Sequence, residues 1–164
     1  MKKPNVVLLP KKSYLSHIAN SVQSGAYHHF FALVDDAETE IIKDGDKACA
    51  LFVSSALAAF GLLPHCDVTV HRVLRLMLEN GWEKTTELKK GCIIVWEEVV
   101  NGKGTSRKHI GFYMGNSVAV SNSSKDRCPT MHPHVRYAER GIESLWWHPA
   151  LESDASLLEY MEKL

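Results

Sequence analysis

Through the first half of the chain apolar residues recur at three- and four-residue spacing, which predicts helices. Leu15, Ile18, Ala19 and Val22 form a short stripe ended by Ser24 and Gly25. A second helix is predicted over residues 26–43. It sets Phe30, Val34, Ala37 and Ile41 on one face and Asp35, Asp36, Glu38 and Glu40 toward solvent, until Asp44 and Gly45 break it. Asp46 is placed as the N-cap of a third helix over residues 47–60, with the stripe Cys49, Phe52, Val53, Ala56, Leu57 and Phe60. Gly61 and Pro64 stop it. Thr69 caps a fourth helix whose Val70, Val73, Leu74 and Met77 face inward until Asn80 and Gly81.

After Trp82 the pattern turns extended. Residues 92–96 (CIIVW) read as a buried strand, followed by a polar loop, NGKG, at 101–104. Residues 109–114 and 117–122 read as a β-hairpin closed by a Gly115–Asn116 turn. Residues 144–147 form a further strand, and residues 154–164 a closing amphipathic helix. Helices followed by an antiparallel sheet define an α+β fold. We read residues 1–164 as one domain, with 1–45 as an N-terminal helical extension.

Composition narrows the function classes. The chain has 164 residues, 45% hydrophobic and 23% charged, which excludes disordered, collagen-like and coiled-coil chains. Lys+Arg and Asp+Glu are 19 each, so the basic excess expected of a nucleic-acid binder is missing. The apolar run from Val6 to Leu9 is too short for a signal peptide or a membrane span, and a soluble chain is expected. Cys49, Cys66, Cys92 and Cys128 have no CxxC spacing and are read as free thiols.

Cys49 falls in the first turn of the third helix, where free backbone N–H groups and the helix dipole favour a thiolate, although its phase with the apolar stripe equally suits a core residue. His109 opens the strand HIGFYMG, from which an imidazole can reach a helix N-terminus packed on the sheet; the alternative is a capped surface histidine. A two-residue Gly115–Asn116 turn makes paired residue numbers sum to 231, which sets Asn122 opposite His109 to orient the imidazole. A one-residue bulge would put Ser121 there instead. The reading expects the imidazole within about 4 Å of the Cys49 sulfur.

These segments resemble the NlpC family of papain-like cysteine peptidases and its CHAP amidase relatives, bacterial cell-wall enzymes. The matching points are C-x-x-F-V at Cys49, Phe52 and Val53, the Lys90–Gly91 strand entry, and HIGFYMGN at residues 109–116. The resemblance implies a papain-like fold with Cys49 as nucleophile, His109 as general base and a polar residue on the next strand as orienter. Gapless matching puts that residue at Ser121, while the hairpin arithmetic favours Asn122. It also implies a peptidoglycan peptide, or another peptide or amide, as substrate, and no cofactor. Ala48, Ala50 and Leu51 stand where the family has Asp before the cysteine and Ser-Gly after it, and Gly91–Cys92 replaces its Gly-Asp strand entry, so substrate specificity does not carry over.

Cys128, His132 and His134 with His65 and Cys66 form a possible zinc set, but the spacing matches no tight metal motif and no metal is assigned. Strand alternation at Trp146 and Trp147 puts one of the two indoles near solvent.

Overall fold

The computed structural model describes residues 3–100 and 104–164. Of the predicted polar loop only Gly104 falls inside them. The architecture is α+β. Among the described residues the main sheet is antiparallel and six-stranded, in the order β3–β8–β4–β5–β6–β7. Its strands are β3 (Glu83–Thr85), β4 (Ile93–Val100), β5 (Ser106–Gly115), β6 (Val118–Ser123), β7 (Cys128–Pro133) and β8 (Ile142–Trp147). Helices α1 (Pro10–Asn20), α2 (Cys49–Ala59), α3 (Val70–Glu79) and α4 (Asp154–Met161) share one hydrophobic core with it. No helix among the described residues is long and apolar enough to cross a membrane.

The core forms where α2 lies on the sheet. Phe52 meets Phe112 edge-on at 5.3 Å between ring centroids, and Tyr14 of α1 meets Phe112 at 6.0 Å. Tyr14 also donates to the Gly91 carbonyl at 2.9 Å, so α1 packs into the main core. It buries Pro10, Tyr14 and Ile18, and Leu15 and Val22 of the predicted stripe pack against the same core, while Ala19 is exposed. Thr69 caps α3 as expected, accepting from Arg72 N–H, and Ser153 caps α4.

The predicted second helix does not form. Its span holds a short 3-10 turn (Gly25–Tyr27) and a hairpin of β1 (Phe31–Val34) with β2 (Ala37–Glu40). Asp35 and Asp36 take φ of 50° and 62°, the double left-handed conformation of a two-residue hairpin turn, which short polar side chains tolerate. Glu40 is not a solvated helix acid: its carboxylate accepts from Ile42 N–H at 2.8 Å and Asp44 N–H at 2.9 Å, folding the chain back toward α2. Both tryptophans of β8 are buried in the core, with the Lys11 and Lys89 ammonium groups over the Trp147 ring and that of Lys84 over Trp146.

Candidate active site

Cys49 is the first residue of α2, but Asp46 is not its N-cap. Lys43, Asp44 and Gly45 all have positive φ, and the turn they make puts Ala48 at the cap, with no side chain bonding to the helix start. First-turn N–H groups are left to the thiol: those of Ala50 and Cys49 itself, together with the Ile110 N–H of β5, favour its charged form, as does the Arg140 charge. Burial outweighs them and pushes the Cys49 thiol above its ordinary value, so the resting group is a thiol and not the thiolate expected from its helix position alone.

The hairpin turn is Asn116–Ser117, both with positive φ, and not Gly115–Asn116. A bulge between Tyr113 and Gly115 then sets Gly111 opposite Ser121. His109 lies on the same side of the strand as Gly111, which has no side chain to block the diagonal, and its Nε2 meets Ser121 Oγ at 2.8 Å. Asn122, favoured by the arithmetic, falls on the other side. Its Nδ2 donates to the Gly45 carbonyl at 2.7 Å, and its Oδ1 is buried without a partner.

The hydrogen-bond chain continues across the sheet. Ser121 Oγ lies 2.7 Å from His132 Nε2, and His132 Nδ1 lies 3.0 Å from the Pro133 carbonyl. Burial lowers the pKa of both imidazoles, that of His109 strongly, and the positive Arg140 and the neighbouring His132 push His109 further down. With the His132 proton placed toward the Pro133 oxygen, two neutral rings and one hydroxyl take a single ordering. The Pro133 oxygen only accepts, so His132 carries its proton on Nδ1 and accepts at Nε2 from the Ser121 hydroxyl. Ser121 then accepts from His109 Nε2–H, which leaves the lone pair of His109 on Nδ1.

Cys49, His109, Tyr137 and Arg140 line one cavity of about 580 Å³. Strand alternation puts Ile110 and Phe112 against α2 and turns His109 to the opposite face, beside Trp96 at 5.4 Å between ring centroids. Thiol and imidazole therefore reach the cavity from two sides of β5, and no hydrogen bond joins them among the described residues. The Tyr137 ring stacks on His109, with centroids 3.5 Å apart and planes at 16°. Beyond Tyr137 a groove of about 670 Å³ reaches His132.

No group of three or more metal-ligating side chains is assembled among the described residues. The zinc set is dispersed: His132 is engaged with Ser121, His134 packs on Tyr113, and His65 bonds to its neighbour's carbonyl. Tyr137 and Arg140 are site residues that sequence reasoning missed, and His132 was read there only as a member of the zinc set. Pro129 and Pro133 hid strand β7, which accommodates them because it is the sheet's edge. No protein-family model matches the chain, and no curated protein matches it.

Proposed function

We propose that the chain is a cysteine hydrolase of peptide or amide bonds, with Cys49 as nucleophile, His109 as general base and Ser121 as orienting residue, on a papain-like scaffold. The observation that carries this reading is the hydrogen-bond chain that leaves His109 Nδ1 unprotonated in the same cavity as a thiol at an uncapped helix start. The arrangement of a thiol-bearing helix packed on an imidazole-bearing antiparallel sheet supports the scaffold.

In the reaction, His109 Nδ1 takes the Cys49 proton as sulfur attacks the carbonyl carbon. Backbone N–H groups at the start of α2 face the negative charge that develops on the carbonyl oxygen. The imidazolium then protonates the leaving amine, and a water deprotonated by His109 cleaves the thioester to a carboxylate. The reaction requires thiol and imidazole to come together at the cavity they share, where the Tyr137 ring stacks on His109.

Peptidoglycan stem peptides are the proposed substrate, on the resemblance of the cysteine and histidine segments to cell-wall peptidases. Digesting purified peptidoglycan with the wild type and Cys49→Ala, with products read by mass spectrometry, tests this. Wild-type cleavage lost in the variant is expected, and cleavage retained by Cys49→Ala overturns the mechanism. The stacked Tyr137 and the missing thiol–imidazole bond favour a second reading, a catalytically idle binding domain of the same fold. That reading requires wall fragments or a protein partner to bind without turnover.

A further inference from the structure

The chain is neutral overall, but its charges are unevenly matched. Elsewhere on the surface several cations are paired: Arg127 with Asp44 at 2.6 Å, Arg72 with Asp67 at 2.9 Å, Lys89 with Glu152 at 3.2 Å. At the cavity holding Cys49, four cationic side chains meet two carboxylates, Asp46 and Glu98. Lys108 is paired with Glu143. The other three, Lys47, Arg107 and Arg140, form no ion pair with a carboxylate among the described residues.

These three arrive from separate parts of the chain. Lys47 precedes α2, Arg107 lies in β5, and Arg140 closes the turn whose other end is Tyr137. Arg140 Nη1 donates only to carbonyl oxygens, those of Glu97 and Arg107, which orient the guanidinium without neutralising it. Burial and the neighbouring Lys43 and Arg107 charges lower the pKa of Lys47, and Asp46 does not offset them. Holding like charges together beside a cavity costs stability unless a ligand of opposite charge enters.

We infer that the cavity takes a carboxylate-bearing peptide, with Lys47, Arg107 and Arg140 binding the anionic group next to the bond presented to Cys49. The position of that bond rests on the thiol-hydrolase reading; the ligand's charge does not.

The test compares alkylation of Cys49 in the full chain by iodoacetate and iodoacetamide, mapped by mass spectrometry at mildly alkaline pH. In both reactions sulfur bonds to the methylene carbon and iodide leaves, so the reagents differ mainly in charge. The iodoacetate-to-iodoacetamide rate ratio at Cys49 is expected to exceed that of glutathione by about fivefold at low salt, the factor equivalent to about 1 kcal/mol of Coulomb attraction. It should fall toward the glutathione value in molar salt and in Lys47→Ala/Arg107→Ala. A ratio equal to that of glutathione and indifferent to both changes overturns the inference. If Cys49 reacts with neither reagent, the thiol-hydrolase reading fails, and the charge inference is decided by titrating 15N-labelled protein with N-acetylglutamate and N-acetylglutamine. Shifts at Lys47, Arg107 and Arg140 with the carboxylate alone support it, and equal or absent shifts overturn it.

Discussion

Replacing Gly111 with alanine tests how the imidazole is held. Gly111 lies directly opposite Ser121, and its missing side chain leaves the diagonal along which His109 reaches the hydroxyl. An added Cβ would stand 2.6 Å from Ser121 Cβ, 2.7 Å from the Val120 oxygen and 3.0 Å from Trp96 Cζ3. The first two atoms are fixed to the neighbouring strand, so no rotamer change relieves the clash and β5 must move from β6. Overpacking of this kind costs about 1–3 kcal/mol, while alanine restricts the unfolded chain and returns about 0.4–1 kcal/mol. The net loss of about 1–2 kcal/mol lowers the Tm by about 2–8 °C in a domain of this size. The same displacement opens the His109–Ser121 bond and frees the ring to adopt either tautomer. Thermal unfolding by circular dichroism measures the first effect, and 15N shifts of the imidazole nitrogens measure the second. A variant with both the wild-type Tm and an undisturbed Nε2–H tautomer would refute the reasoning.

Three further outcomes are expected. Ser121→Ala leaves His109 Nε2–H without its acceptor, at a cost of about 1–3 kcal/mol, and slows turnover about 10- to 100-fold; Asn122→Ala loses its bond to Gly45 and lowers stability by about 1 kcal/mol with little change in the imidazole 15N shifts. The reverse pattern would restore Asn122 as the orienting residue. Because burial raises the Cys49 thiol, its alkylation by iodoacetamide should still be climbing at pH values where an ordinary thiol levels off; early labelling in mild acid, ahead of Cys66, Cys92 and Cys128, would contradict the buried-thiol description. His109, His132 and His148 all have native pKa values below the unfolded value of about 6.5. The unfolded chain therefore binds protons that the native state does not, and stability present above that pH is lost as pH falls below it. His109 alone contributes about 1.4 kcal/mol per pH unit in that window. Denaturant titrations of wild type and His109→Gln should differ in slope below pH 6.5, and identical pH dependence would exclude a buried neutral His109.

The α+β order, α3 with its Thr69 cap, the strands β4 and β8 and the closing helix were legible in the chain because each rests on local signals: apolar periodicity, a capping hydroxyl, Gly after a helix. Cys49 at a helix start and His109 on a strand were legible for the same reason. The Asp35–Asp36 hairpin was not, since its four-residue strands are too short for alternation to outweigh a helical reading, and their large residues Phe31 and Leu33 stay exposed. The choice between Ser121 and Asn122 turned on one bulged residue near Tyr113, and a shift of one position exchanges the two faces of a strand. Periodicity reports which residues share a face but not where a register slips. His132, Tyr137 and Arg140 come from the edge strand and the turn after it, and they join the site only through pairing across β6 and through the stacking of Tyr137 on His109. The sequence alone determined the nucleophile and base candidates; tertiary packing decided their protonation, because burial and the hydrogen-bond chain ending on Pro133, neither of them a local property, set the thiol's pKa and the imidazole's tautomer.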